Sequence, residues 1–201
     1  MKTGNRSRKT TLLGLLTAIL MVFGMTPLGY LNIGPLAVSF NMIPVAIGAA
    51  ALGPVGGAIL GGVFGMTSVL QCIGIGGSSA MGVILFDINP FLAFVQRFVP
   101  RVMAGFLVGV IYDTARRFCK SGLAGGIAGF CAALLNTVLF MGALVLLFGN
   151  TQYLTDLIAG RNVILFICTF VGINAVGVML AATVVTAALC SALERAGLMR
   201  R

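Results

Sequence analysis

The chain has 201 residues, 59% of them hydrophobic and only 8% charged, with a formal net charge of +9. So little polar surface cannot clothe a core in water, which excludes an ordinary soluble domain. No histidine occurs, and the five cysteines (Cys72, Cys119, Cys131, Cys168, Cys190) lie far apart without a C-x-x-C pair. Both facts argue against a zinc or haem centre, any other metal site and a histidine-based catalytic triad. The cysteines read as small apolar packing residues.

In chain order, Lys2, Arg6, Arg8 and Lys9 precede an apolar run from Thr11 to Thr26. That run carries no Ala-x-Ala cleavage pattern and leads into further apolar segments, so it reads as a retained first helix instead of a signal peptide. Gly29 to Pro35, rich in Gly and Pro, predicts a compact turn. A second helix is expected from Leu36 to Leu52, a tight turn at Gly53-Pro54 and a third helix from Val55 to Ile73. A Gly/Ser-rich stretch, Gly74 to Gly82, runs into a semi-apolar loop, Val83 to Phe94, that contains Asp87 and Asn89-Pro90. Helix four is expected from Val95 to Thr114. The break Arg116 to Ser121 separates it from helix five, Gly122 to Phe148. A loop from Gly149 to Gly160 contains Asp156, helix six covers Arg161 to Leu193, and Arg195, Arg200 and Arg201 form a basic tail. A bilayer core about 30 Å thick takes roughly 20 apolar residues per helix. The expected fold is therefore an all-α membrane protein, a single domain over residues 1–201 built as a bundle of six transmembrane helices.

Charge sets the orientation. Six crossings put both termini on one side, with ten of the thirteen Lys and Arg; Arg97, Arg101 and Arg161 remain on the other. That bias places both ends in the cytoplasm. The cations cluster at the ends of apolar segments and do not interleave with aromatics. They read as topology determinants on anionic lipid, with no nucleic acid partner.

Gly53, Gly57, Gly61 and Gly65 recur every fourth residue, as do the pairs Gly122/Gly126 and Gly125/Gly129. Without a Cβ, helix backbones can approach closely, so these ridges predict internal packing. Thr10, Gly14 and Ala18 repeat the spacing on helix one, where an internal contact and a docking face for another membrane protein fit equally.

Chemistry is sparse. There is no phosphate-binding G-x-x-x-x-G-K-[ST] loop, which argues against ATP hydrolysis by this chain. Asp87 and Asp156 fall in expected loops and Asp113 and Glu194 at helix ends, leaving no acid well placed for a proton relay. No paired carboxylates or nucleophile–base set supports a catalytic site. The polar residues expected at membrane depth are Asn41, Gln71, Arg97, Arg101, Asn136 and Asn174. Each needs a partner helix, water or a ligand. Asn136 and Asn174 can serve a small polar solute or an interhelical hydrogen bond. Arg101 can fork onto a solute carboxylate. Arg97 is read as a snorkelling lipid contact and Arg161 as an interfacial anchor.

Several blocks together carry a resemblance. They are Thr26-Pro27-Leu28-Gly29-Tyr30 with Ile33-Gly34-Pro35, Ile43-Pro44-Val45-Ala46-Ile47-Gly48-Ala49, the run Leu52 to Ser68, Pro100-Arg101, and Leu135 to Gly142. The chain resembles the substrate-binding (S) components of energy-coupling factor (ECF) vitamin transporters, nearest their pantothenate-type branch. That resemblance implies a six-helix bundle in the bacterial cytoplasmic membrane that captures a water-soluble vitamin at its outer end, beneath the first loop. Tyr30, Asn41, Gln71, Arg101, Asn136 and Asn174 become the expected binding residues. It also implies a membrane scaffold subunit and two cytoplasmic ATPases as partners, docking through Thr10, Gly14 and Ala18, with no cofactor. Delivery by toppling of the whole bundle follows from the same likeness. One departure concerns Asn174, after which Ala175, Val176, Gly177 and Val178 supply no acid, disfavouring a cationic vitamin. A self-sufficient carrier for a small polar solute is the competing reading.

Overall fold

The computed structural model describes residues 2–26, 30–33, 36–76, 79–152, 155 and 163–199, with the backbone alone at 2–6, 30–33, 36–39, 80 and 163–175. Within them lie seven helices and one hairpin: α1 (Lys2–Met25), β1 (Tyr30–Ile33), β2 (Leu36–Ser39), α2 (Met42–Leu52), α3 (Pro54–Cys72), α4 (Ala80–Ile88), α5 (Pro90–Phe118), α6 (Ser121–Phe148) and α7 (Val163–Arg195). Among the described residues, five segments are long and apolar enough to cross a bilayer: Ser7–Met25, Pro54–Cys72, Pro90–Phe118, Ser121–Phe148 and Val176–Arg195. Their outward faces stay apolar, with Leu146, Phe118, Phe91, Val184 and Leu180 all more than 60% exposed. A water-soluble protein would hide most of these side chains; a lipid-facing surface is made of them.

Three expectations are corrected. The second helix does not begin at Leu36: residues 36–39 form β2, paired antiparallel with β1 so that Tyr30 faces Ser39 and Ile33 faces Leu36. The remaining helix, α2, has 11 residues, about 16 Å at 1.5 Å per residue and short of a bilayer core by itself. The expected loop Gly74 to Phe94 instead contains α4 and the first turn of α5. Ser79 caps α4 by accepting from the Gly82 N–H (3.3 Å). Asn89 caps α5, its Oδ1 accepting from Phe91 and Leu92 N–H at 3.1 Å each, with Pro90 at the first helical position. Pro100 consequently lies well inside α5 and not near its start.

The glycine ridges pack internally, as their spacing predicts. Gly57 of α3 abuts the backbone of Gly105 on α5, and Gly61 abuts the carbonyl of Arg101. On the other side of the bundle, Gly122 and Gly125 of α6 meet Ser191 and Cys190 of α7, and Gly129 meets the Ala182 carbonyl. The α2–α3 corner turns at Gly53, whose φ of 87° suits a residue without a Cβ. Beneath these contacts lies the main core, formed by Leu16 and Leu20 of α1, Met42 to Ala50 of α2, Leu60 and Phe64 of α3, Ala104 and Val108 of α5, and the small residues of α6. A second apolar cluster joins α4 (Leu85), the start of α5 (Ala93) and the end of α6 (Met141, Leu144, Phe148). Between the two clusters sits the polar group described next.

Candidate substrate-binding site

Helix α5 carries two arginines one turn apart on its buried face, Arg97 and Arg101, 5% and 6% exposed. Arg101 lies with its guanidinium carbon 4.5 Å from the centre of the Phe64 ring and 5.0 Å from that of Phe140. It also donates an Nη1–H to the Arg97 carbonyl. The α3–α5 glycine contact sets this geometry, because Gly61 lets the Arg101 backbone come against α3, one turn from Phe64. Aromatic faces attract a cation, the more so when water is absent, so two rings and a carbonyl offset part of the cost of keeping this charge at membrane depth.

Arg97 is held differently. Its Nη1 donates to Ser68 Oγ of α3 (2.9 Å) and its Nη2 to Ser79 Oγ at the head of α4 (3.1 Å), while Phe140 lies 5.7 Å away. A Cβ on Gly82 would stand 2.6 Å from Nη2, so a larger residue there would push the Arg97 guanidinium from this seat. The expected lipid contact for Arg97 is thus corrected: the side chain turns inward and ties α3, α4 and α5 together. Cys72, one turn beyond Ser68, donates its thiol to the Ser68 carbonyl (3.4 Å).

Asn136 lies on α6 one turn before Phe140, the ring shared by both arginines. Its Oδ1 is buried and makes no hydrogen bond. Arg101 thus lies over a ring of α6 whose helix carries Asn136 one turn earlier. Asn41 is fully buried at the head of α2. Gln71, 5% exposed, donates from its Nε2 to the Gly24 carbonyl and so ties α3 to α1. Tyr30 is placed by its backbone in β1 and Asn174 by its backbone in α7; their side chains, and Asp156 and Arg161, lie outside the described residues. On α1, Thr10, Gly14 and Ala18 are all exposed, and a Cβ on Gly14 would meet nothing within 4 Å.

Sequence reasoning missed Gln96, which is wholly buried on the same face of α5. It also missed the two phenylalanines and two serines that hold the arginines. The available signal was the helical spacing of Gln96, Arg97 and Arg101. It went unread because Gln96 fell beside the presumed start of the helix at Val95. At the opposite end of the bundle, Arg116 pairs with Glu194, both about 40% exposed, beside an open groove lined by Lys120, Ser191, Glu194 and Arg195. Among the described residues no cluster of His, Cys, Asp or Glu is suited to a metal ion.

Comparison with known proteins fits this arrangement of a polar centre inside an apolar bundle. The family described as ECF transporter, substrate-specific component, matches residues 8–192. The chain is 31% identical to the pantothenate transporter PanT of Leuconostoc mesenteroides over 196 residues, covering 92% of this chain and 90% of that protein. It is 26% identical to the pantothenic acid transporter PanT of Lactococcus lactis subsp. cremoris over 176 residues, covering 79% and 85% respectively. Both relatives are named as transporters. The chain is a multi-pass protein of the bacterial cytoplasmic membrane, and it belongs to the substrate-specific component family of ECF transporters.

Proposed function

We propose that the vitamin this chain captures is pantothenate and that Arg101 recognises its carboxylate. The observation that carries the reading is the buried Arg101 guanidinium, held over the Phe64 and Phe140 rings, with Asn136 one helical turn before Phe140 on α6. Pantothenate has one carboxylate, one secondary amide and two hydroxyls. A guanidinium fork matches the carboxylate with two parallel charge-assisted hydrogen bonds. Asn136 Oδ1 supplies an acceptor for a hydroxyl or the amide N–H. Apolar rings around these few polar groups suit the methylene and methyl surface of the solute. Both curated relatives bear the name of a pantothenate transporter, which supports the same choice. Tyr30, Asn41 and Asn174 complete the proposed site, with Gln71 fixing α1 against α3.

In this reading the hairpin and α2 together supply the sixth crossing, both termini are cytoplasmic, and the site opens outward. The lopsided distribution of Lys and Arg supports that orientation. A scaffold subunit and two ATPases supply the energy, with Thr10, Gly14 and Ala18 on the exposed side of α1 as the docking face. The bundle then delivers its solute by toppling as a body.

Titration of the purified protein with radiolabelled pantothenate, against a panel of other water-soluble vitamins, tests the assignment. Saturable binding of pantothenate alone is expected. Preference for another vitamin overturns the substrate. Steady uptake into liposomes containing this chain alone overturns the dependence on partners and favours a self-sufficient carrier.

A further inference from the structure

Gln96 is fully buried, and neither its Nε2 nor its Oε1 makes a hydrogen bond. An amide so placed in an apolar bundle forfeits its hydration without a replacement, which is expensive and calls for a reason. The backbone compounds the problem. Pro100 has no N–H to return to the Gln96 carbonyl, so the helix withholds its usual donor at this residue. An unsatisfied amide and a carbonyl without its helical partner thus coincide, one residue from Arg97 and on the buried face that also carries Arg101. On α6, which packs against α5, Asn136 Oδ1 is another buried acceptor without a hydrogen bond, one turn before the Phe140 ring that both arginines approach.

We propose that Gln96 is a further substrate-binding residue, whose side-chain amide pairs with the neutral polar end of the solute, its amide and hydroxyl groups, while Arg101 holds the carboxylate. This rests on the pantothenate reading above and divides its recognition between two positions a little over one turn apart on α5. A side-chain amide offers one acceptor and two donors, so it satisfies a secondary amide or a pair of hydroxyls in one stroke. Solutes lacking such groups would leave Gln96 unpaired and are rejected for that reason.

The test compares Gln96→Met with the wild type and with Arg101→Gln, titrating each purified protein with pantothenate and with pantothenol, which replaces the carboxylate by an alcohol. Methionine keeps the length and apolar volume of glutamine but lacks the amide. Gln96→Met is expected to weaken both ligands by the same factor, tenfold or more. Arg101→Gln is expected to weaken pantothenate and spare pantothenol. Without ligand, Gln96→Met should melt at or above the wild-type temperature, since it removes an unsatisfied buried amide. Lower ligand-free melting would show that the amide has a structural partner and would overturn the proposal. So would binding within twofold of wild type. Failure of the wild type to bind either compound would instead sink the pantothenate reading, and this proposal with it.

Discussion

The α3–α5 glycine contact should be intolerant of a side chain, and the magnitude follows from the geometry. A Cβ on Gly61 would stand 2.9 Å from the Arg101 carbonyl carbon, whereas carbon atoms pack best at about 3.5–4.0 Å, so the two helices must part by at least about 0.6 Å. The obstacle is backbone, and no rotamer change relieves it. Replacement by alanine or leucine also raises helix propensity by roughly 1 kcal/mol, which would mask part of the cost. The informative comparison is therefore Gly61→Leu against Gly14→Leu, two identical changes in helices. The propensity gain cancels and packing remains. Gly14 has nothing within 4 Å of its would-be Cβ, so its leucine is free of steric cost. Overpacking costs about 1–3 kcal/mol. At about 2 kcal/mol, and about 2–4 °C per kcal/mol for a chain of this size, Gly61→Leu should melt roughly 4–8 °C below Gly14→Leu.

The chain has no tryptophan, so unfolding is better followed by circular dichroism and by a thiol-reactive dye reporting the buried Cys72 and Cys190. Because the Arg101 backbone itself is displaced, Gly61→Leu should also bind pantothenate more weakly. Gly14→Leu should bind normally yet fail to support uptake with the partner subunits. Equal melting temperatures for the two variants would refute the claim that this ridge sets the α3–α5 distance. Loss of binding in Gly14→Leu would mean that the stripe on α1 packs internally.

Asn136→Ala removes an acceptor that the fold itself does not use; it should leave melting unchanged and weaken vitamin binding by about 1–3 kcal/mol, roughly 5- to 150-fold by titration. Arg101→Lys retains the charge but loses the fork and the planar cation held over Phe64 and Phe140, so affinity should fall at least about tenfold; wild-type affinity would show that charge alone suffices. Glu194→Gln breaks the pair with Arg116, whose members are 40% and 44% exposed, and should shift stability by less than about 1 kcal/mol in denaturant titrations.

The parts of this fold legible in the sequence are those decided by one-dimensional quantities. Length and hydropathy marked the long helices, and a four-residue glycine period marked which faces touch, because a missing Cβ acts the same way wherever it occurs. The hairpin was not legible. Leu36-Ala37-Val38-Ser39 is a short apolar run, and such a run fits a buried strand or a helix equally well. Helix α4 was hidden for a different reason. Its caps, Ser79 and Asn89-Pro90, are ordinary helix punctuation, but the Gly/Ser composition around the first and Asp87 within the helix made the stretch look like loop.

The site shows where reading residues one at a time stops working. Hydropathy treats an arginine in an apolar helix as an expense to be carried to the lipid headgroups, and on that basis Arg97 belonged at the surface. Its position is decided instead by what other helices bring to it: Ser68 from α3, Ser79 from the head of α4, and space left by Gly82. Those partners come from separated parts of the sequence, and nothing local links them. The same logic explains Gln71 in reverse. By type and depth it reads as a ligand group, and the Gly24 carbonyl, 47 residues earlier, takes one of its two donors. A polar residue in a membrane bundle is thus assigned by which of its hydrogen bonds the fold has already used. By that measure Asn136 and Gln96 retain capacity for a solute, whereas the Nε2 of Gln71 is already engaged in holding α1 to α3.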